Sequence, residues 1–282
     1  MLIDLLKAAF HPTKRKTNSR VTSAPFSVIV CSVDDLRFAA LSATLARAFN
    51  EQPYELIRIS DARSMCQGYN EGFRRSSHNR LIFCHDDIEI LSEDFTQRLE
   101  AHFSRFDVFG LVGTTRLING SWFTAGQPDI HGSVVQPDTQ NAGACSLHRF
   151  SQNLSPVSHV QAVDGMFISA TRDAVEHLHW DEANLPKFHL YDIDFSFRAH
   201  LAGLRVGIAT DILIYHASLG KRDASWREGV AEFTQRYAAH LSRAPAGNSA
   251  YWTAACPDRE AAYEYFHQQL ESQQLGQPVA PA

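Results

Sequence analysis

The stretch Leu81-Ile82-Phe83-Cys84-His85-Asp86-Asp87 decides the fold that we expect for this chain of 282 residues. Four apolar residues without helical periodicity are typical of a short strand covered on both faces, as in a mostly parallel sheet. The run then changes abruptly to an imidazole and two carboxylates. In an open α/β sheet, ligands bind outside the carboxyl ends of the strands, so these polar side chains are predicted to lie where chemistry occurs. They could hold a divalent cation. The alternative is an ordinary turn after the strand, because Asp is also a common turn residue.

Apolar segments before this strand complete a β-α-β-α-β pattern. Strands are predicted at 26–31 and 54–59, and the segments between strands carry apolar residues at helical spacing. Such short connections predict a parallel sheet with right-handed crossovers. Ser32, Asp61 and Asp86 would then line one edge, which is the layout of a nucleotide site. The sequence has no glycine-rich phosphate-binding loop, so bound phosphates would need a metal.

The next part of the chain contains a long segment of unusual composition. A helix capped by Ser92 and a strand at 108–113 are predicted first. Residues 114–159 are then rich in Gly, Ser, Asn, Gln and Pro, far beyond the usual length of a connection. We expect a partly hairpinned lid or acceptor-side insertion, with a plain surface loop as the alternative. The candidate ligand contacts in it are Trp122, Phe123 and His131.

Two later features carry chemistry. Asp192 and Asp194 stand two residues apart at a predicted helix start, where capping alone would need only one acid. Further strands are predicted at 205–208 and 212–215, and His216 follows the last of them. Most of the fourteen histidines are expected to be structural. His216 differs because a basic, Gly-containing turn suited to a diphosphate comes next.

Composition limits the class of protein. A net charge of -5 argues against an open nucleic-acid surface, which would need a basic footprint. Five scattered cysteines without C-x-x-C spacing favour buried thiols in a reducing compartment. No run is long enough to span a bilayer, and the amino terminus lacks signal-peptide features. We therefore expect a cytoplasmic protein.

Three regions are predicted along the chain. Residues 1–24 form a frayed tail or a short helix that could contact the inner face of the membrane weakly. Residues 25–224 form the main domain. Residues 225–282 form a helical extension with a disordered end, which would pack on the main domain or make a homodimer contact.

The order of the motifs resembles that of family-2-like glycosyltransferases of the GT-A fold, over about residues 25 to 222. Within that family, the chain resembles the branch typified by the streptomycin-biosynthesis glycosyltransferase domain, whose members carry His-x-Asp in place of Asp-x-Asp. The resemblance rests on Asn70-Glu71-Gly72, His85-Asp86-Asp87, Asp164-Gly165, Trp180-Asp181-Glu182, Tyr191-Asp192-Ile193-Asp194 and Tyr215-His216.

The resemblance implies a GT-A (Rossmann-like), mostly parallel α/β sheet flanked by helices and an inverting transfer from a nucleotide-sugar to the hydroxyl of a saccharide or other acceptor. Asp87, His85 and His216 would bind Mg²⁺ or Mn²⁺, and Asp192 would be the catalytic base. Tyr191 replaces the Glu that usually precedes this base.

The remaining predicted contacts fall into two groups. We expect the donor to be bound by Ser32, Asp61, Asn70, Asp86, Lys221 and Arg222. We expect the sugar and acceptor pocket to be formed by Asp164, Gly165, Asp194 and Trp122. A nucleotidyltransferase and a non-catalytic nucleotide-sugar-binding module are the alternative functions.

Overall fold

The first half of the chain forms the predicted β-α-β-α-β unit. The structure, a computed structural model, describes residues 25–220 and 222–276. The unit consists of β1 (Phe26–Cys31), α1 (Asp35–Phe49), β2 (Tyr54–Ile59), α2 (Met65–Arg75) and β3 (Arg80–Cys84). Strand β1 lies between β2 and β3 and runs parallel to both. The side chains of Asp34 and Ser64 cap the two helices by accepting hydrogen bonds from main-chain N–H groups.

The rest of the described chain adds eleven strands, five α-helices and one short 3₁₀-helix. The elements up to the central strand β11 are β4 (Ile88–Ile90), α3 (Phe95–Arg105), β5 (Val108–Gly110), β6 (Val112–Thr114), the 3₁₀-helix (Trp122–Ala125), β7 (Ile130–Pro137), β8 (Cys145–Arg149), β9 (Val157–Ser158), β10 (Ala162–Val163) and β11 (Phe167–Thr171). They are followed by α4 (Arg172–Leu178), α5 (Tyr191–Leu201), β12 (Val206–Ile208), β13 (Ile214–His216), α6 (Ala224–Arg236), β14 (Trp252–Cys256) and α7 (Arg259–Gln274).

The main sheet has the order β2-β1-β3-β11-β5-β12-β9. The predicted α/β architecture is confirmed, and the sheet is mostly parallel, because five of its seven strands (β1, β2, β3, β5 and β12) run in the same direction. Strand β11 runs antiparallel to both neighbours, and β12 returns parallel to β5. Because β11 is antiparallel, it begins where β3 ends, with Phe167 opposite Cys84. This reversal brings the residues before β11 to the edge where β3 ends.

A second sheet has the order β10-β6-β7-β13-β4, and β8 and β14 extend it from β7. The strand predicted at 108–113 is divided at Leu111 between the two sheets as β5 and β6. Gly113 in β6 allows close approach of β10, since a Cβ there would lie 2.2 Å from the Ala162 carbonyl oxygen. The main element of the segment 114–159 is the antiparallel hairpin of β7 and β8, which belongs to this sheet.

Two sequence predictions about the elements need correction. Ser92 does not cap α3, because its Oγ accepts a hydrogen bond from the Leu213 N–H and Asp94 takes the capping position. The carboxyl-terminal extension is not only helical, since β14 pairs antiparallel with β8. The predictions for residues 1–24, for Lys221 and for the last residues, 277–282, lie outside the described residues.

All five cysteines are free, and four of them are buried. In the described part of the chain, every helix is too short or too polar to cross a lipid bilayer.

Candidate active site

Two chain segments meet at the edge of the main sheet. His85 follows β3, and Asp164 and Gly165 precede the antiparallel strand β11. The His85 N–H donates to the Met166 carbonyl oxygen at 3.1 Å, which holds the two segments together. His216 ends β13 in the second sheet, and α5 begins at Tyr191. These elements enclose a cavity of about 590 Å³, a size typical of small-molecule sites.

Three predicted metal ligands converge beside this cavity. His216 Nε2 lies 3.3 Å from Asp87 Oδ1, and His85 Nδ1 lies 3.9 Å from the same oxygen. The two imidazole nitrogens are 3.3 Å apart. One cation bonded at about 2.1 Å to each atom would hold its ligands roughly 3.0–3.4 Å apart, so the cluster needs only a small adjustment. The structure brings together the predicted metal ligands, as a group that could hold an ion.

Tyr191 fixes the orientation of one of these ligands. Its hydroxyl donates to the Gly165 carbonyl oxygen at 3.2 Å and lies 2.6 Å from His85 Nε2. When the hydroxyl donates its proton to Gly165, His85 Nε2 carries the hydrogen of the second contact. The lone pair of a neutral His85 ring is then on Nδ1, the atom that faces Asp87 and His216. This is the usual way in which an outer partner sets the tautomer of a metal-binding histidine.

The electrostatics of the cluster favour a neutral imidazole beside an ionised carboxylate. Burial lowers the pKa of His85, and the positive charge of a protonated His216 lowers it further. Burial alone would raise the pKa of Asp87. The hydrogen bond from His216 and the charges of both histidines outweigh this effect and leave the Asp87 pKa below its usual value. A neutral His85 and an ionised Asp87 are the protonation states that a cation requires of these two ligands, and a cation would displace the proton that His216 Nε2 donates to Asp87.

Asp192 lies in the first turn of α5 and lines the cavity. Its Oδ2 accepts a hydrogen bond from the Gly165 N–H at 2.9 Å. Burial and then the negative charge of Asp164 raise its pKa to about 7. Gly165 must be a glycine here, because a Cβ would lie 2.2 Å from the Tyr191 hydroxyl oxygen. A carboxyl with a pKa near neutrality can accept a proton from a hydroxyl at physiological pH.

Asp164 connects this acid to an aromatic side chain. Its Oδ1 accepts a hydrogen bond from the Met166 N–H at 3.0 Å, and its Oδ2 accepts one from Trp122 Nε1 at 2.9 Å. The structure therefore brings Asp164, Gly165 and Trp122 to the cavity wall, as the sequence predicted for the pocket.

Asp194, in contrast, is not a pocket residue, and that prediction is wrong. Its side chain is fully buried on another face of α5. It forms an ion pair with Arg198 Nε at 2.7 Å and accepts a hydrogen bond from the Tyr237 hydroxyl at 2.7 Å. Residues two apart on a helix point about 200° apart, which separates Asp192 in the cavity from Asp194 in the core.

Asn70 also has a structural position, so its assignment to the donor site is corrected. Its side-chain nitrogen donates to the Trp180 carbonyl oxygen at 2.8 Å, and its side-chain oxygen accepts from the Trp180 N–H at 3.1 Å. The buried amide thus has its main donor and acceptor occupied. Trp180 in turn stacks on Phe195 of α5, with ring centroids 4.1 Å apart. Asn70 holds the backbone of Trp180, and Trp180 packs on α5, so Asn70 helps to position this helix.

The other predicted donor contacts lie at the edge of the main sheet and at the mouth of the cavity. Ser32 Oγ donates to Asp86 Oδ2 at 2.7 Å, which links the ends of β1 and β3. Asp61 is exposed at the end of β2. Arg222 lines the cavity, with its guanidinium 5.8 Å from the ring centroids of both Phe123 and Trp226.

The sequence analysis missed two of the four aromatic side chains that form one wall of the cavity. Phe150 and Tyr251 line the cavity together with the predicted Trp122 and Phe123. Their rings pack against each other, with Phe150 and Tyr251 centroids 4.7 Å apart and Trp122 and Phe150 centroids 5.4 Å apart. We call these four side chains the aromatic wall. His131, the other candidate contact, points to Thr115 at 3.4 Å and does not line the cavity.

Comparison with known proteins adds a family match. Residues 27–243 match the sequence profile of a family described as glycosyltransferase-like. No curated protein matches the chain in sequence.

Several solved structures are similar in shape at low sequence identity. GalNAc-T7 with UDP, GalNAc and Mn²⁺ is 10% identical with a TM-score of 0.49, over 91% of this chain and 53% of that chain, so this chain spans about half of that protein. The PcManGT mannosyltransferase of Pyrobaculum calidifontis, in complex with GDP-Man and Mn²⁺, is 11% identical with a TM-score of 0.48, over 86% and 72% of the two chains. S. aureus TarS 1-349 in complex with UDP-GlcNAc is 11% identical with a TM-score of 0.47, over 89% and 73%.

Proposed function

The chain belongs to the glycosyltransferase-like family, and we propose that it transfers a sugar from a nucleoside-diphosphate sugar to an acceptor hydroxyl with inversion. The observation that carries the proposal is the placement of Asp192. This carboxyl has a pKa of about 7 and faces the cavity that His85 and His216 also line. A base and a charge-stabilising group at one cavity are what such a transfer needs.

The donor set supports a divalent cation at His85, Asp87 and His216. Two imidazole nitrogens and one carboxylate oxygen suit Mn²⁺ better than Mg²⁺, which prefers oxygen ligands. A cation bound there would neutralise the charge that develops on the leaving diphosphate. We therefore propose Mn²⁺ as the preferred cofactor. Calorimetric titration with each ion checks this preference directly.

The chain's own residues supply the remaining roles. Asp192 would take the proton of the attacking hydroxyl, while the Gly165 N–H holds its second oxygen. Arg222 at the cavity mouth would add positive charge near the diphosphate. The Ser32–Asp86 pair at the sheet edge is proposed to contact the nucleoside. With one base on the acceptor side, direct attack inverts the configuration at the anomeric carbon.

The test is the product released from nucleotide-sugars. We expect release of free nucleoside diphosphate from at least one UDP-, GDP- or dTDP-sugar in the presence of Mn²⁺ and a hydroxyl acceptor. The Asp192→Asn variant should lose about 10²–10⁴-fold in turnover while it still binds the nucleoside diphosphate in a calorimeter.

The alternative functions give different products. A nucleotidyltransferase would release pyrophosphate from a nucleoside triphosphate and a sugar phosphate. A binding module would bind nucleotide-sugars and release nothing. Wild-type turnover in Asp192→Asn would contradict the proposed role of this carboxylate.

A further inference from the structure

A segment beyond the family match completes the cavity. The match ends at residue 243, but the following residues are tied to the loop that contains the 3₁₀-helix. The Gly247 N–H donates to the Ala125 carbonyl oxygen at 2.7 Å, and the Gln127 N–H donates to the Asn248 carbonyl oxygen at 2.6 Å. Strand β14 then pairs with β8, starting with Trp252 opposite Arg149. The main-chain bonds on both sides fix the position of Tyr251.

Tyr251 is the accessible member of the aromatic wall. Its ring packs on Phe150 at 4.7 Å and on Phe123 at 5.7 Å between centroids, and it remains 37% exposed. Phe150, which supports it from behind, is only 6% exposed. The ring is thus held in place by its neighbours and still presents surface to the cavity. A pre-positioned aromatic surface of this kind binds ligands at low entropic cost.

Two parts of the cavity lining differ in chemistry. One part carries Asp192 and Asp164, and the Trp122–Asp164 hydrogen bond joins it directly to the aromatic wall. A ligand that fills the cavity must therefore present a hydroxyl to a carboxylate and an apolar face to aromatic rings. A pyranose ring has both features, since its C–H groups form an apolar face and its hydroxyls project from the edge. A long alkyl chain would satisfy only the wall.

From this arrangement we infer that the acceptor is a saccharide and that Tyr251 is a specificity-determining residue on which its ring stacks. The inference rests on the proposed function and extends it to the acceptor. It also assigns the carboxyl-terminal segment 244–256 to the substrate-binding part of the molecule. The nucleoside is placed elsewhere by our proposal, at the Ser32–Asp86 edge, so the wall remains for the acceptor.

The experiment compares acceptor KM with nucleotide Kd. With Mn²⁺ and the donor that shows turnover, the probes are methyl glycosides of glucose, galactose, mannose and N-acetylglucosamine and the corresponding disaccharides. We expect at least one to stimulate release of nucleoside diphosphate. Tyr251→Ala should raise the KM of that glycoside about tenfold, equivalent to about 1.4 kcal/mol. The Kd of the nucleoside diphosphate, measured by calorimetry, should stay unchanged.

Matched variants separate stacking from folding. Tyr251→Phe keeps the ring and should have a KM within about twofold of the wild type. Tyr251→Leu keeps apolar bulk without a flat face and should resemble Tyr251→Ala. Tyr265→Ala truncates a tyrosine of α7 that stacks on Trp252, the residue after Tyr251, with ring centroids 5.4 Å apart. Tyr265 does not line the cavity, so this variant should leave the KM unchanged.

Three results would overturn the inference. One is an unchanged glycoside KM in both Tyr251→Ala and Tyr251→Leu. Another is an equal rise in KM in Tyr265→Ala, which would indicate a general effect of the segment. The third is donor turnover that no glycoside stimulates, which would leave the proposed function standing and remove the saccharide acceptor. Absence of any turnover of nucleotide-sugars would instead overturn the proposed function together with this inference.

Discussion

At the scale of single residues, Asp192 combines a functional requirement with an expected cost in stability. Its pKa is raised from 3.8 to about 7 in the folded protein, chiefly by burial. Between these pH values the folded state binds the proton more tightly than the unfolded state. The free energy of unfolding should therefore fall as pH rises through this window, by on the order of 4 kcal/mol at most.

This dependence on pH predicts that replacing Asp192 by a neutral residue removes catalysis but makes the folded protein more stable above neutral pH. In EDTA at pH 8, Asp192→Asn should have a higher melting temperature than the wild type, because the neutral amide avoids burying a charge. At pH 5 the wild-type carboxyl is mostly protonated, and the two melting temperatures should be close. Thermal melts at both pH values measure the effect. An equal difference at pH 5 and pH 8 would mean that the carboxylate charge is not its cause.

Tyr191 leads to a prediction about metal affinity. Its hydroxyl holds His85 Nε2 at 2.6 Å and thereby directs Nδ1 toward Asp87 and His216. Tyr191→Phe should weaken Mn²⁺ binding by about tenfold or more, as loss of an outer partner of a metal-binding histidine usually does. Isothermal titration with Mn²⁺ alone provides the measurement.

Tyr237 offers a matched control for this variant. Its side chain is also buried, its hydroxyl donates to Asp194 Oδ1 at 2.7 Å, and it does not line the cavity. Tyr237→Phe should retain wild-type Mn²⁺ affinity. Equal losses in the two variants would point to a general loosening of the core rather than to the orientation of His85.

At the scale of elements, the packing of α6 on α5 depends on a buried ion pair. Asp194 and Arg198 lie on α5, and Tyr237, immediately after α6, donates its hydroxyl proton to Asp194 at 2.7 Å. Arg198 also donates to the Leu178 carbonyl oxygen at 2.8 Å. Removing one partner of such a network leaves a buried charge without compensation, which is usually far more costly than losing a surface pair.

We therefore predict that Asp194→Asn lowers the free energy of unfolding by about 3–5 kcal/mol. The control is Glu228→Gln, which removes an exposed ion pair between Glu228 of α6 and Lys187. The side chains of Glu228 and Lys187 are 62% and 58% exposed. The control should change stability by less than about 1 kcal/mol. Urea denaturation of both variants makes the comparison. Similar losses, or a stable Asp194→Asn, would contradict the structural role given to Asp194.

The same elements show which predictions the sequence can support. The strand that ends just before His85 and the helix that ends at Arg75 follow from local periodicity, and the structure contains both. Asn70 and Asp194 were wrongly assigned to the substrate site because their partners, Trp180 and Tyr237, are distant in sequence. Asn70 binds the backbone of Trp180, 110 residues away. A polar side chain in a motif has the same appearance in sequence whether it contacts substrate or a buried main chain.

At the scale of the whole molecule, the cavity combines residues from both sheets and from α5. The predicted metal ligands meet because two of them end strands that local pattern identifies well, β3 and β13. The aromatic wall was not predictable in the same way, since Phe150 and Tyr251 pair through β8 and β14, which are about a hundred residues apart. Local propensity does not specify such long-range pairing. The reversed direction of β11 within the mostly parallel sheet was not predictable for a similar reason.

The position of Tyr251 late in the chain has a consequence for biosynthesis. A ribosome adds roughly 5–20 residues per second, and domains fold as they emerge. His85, Asp192 and His216 are all made before Tyr251, and the 35 residues from 216 to 251 take roughly 2–7 s to add. During that interval a growing chain would already contain the metal ligands and the base, while one side of the cavity stayed open to water. The acceptor selectivity that we infer for Tyr251 is then acquired later in synthesis than the metal ligands and the base.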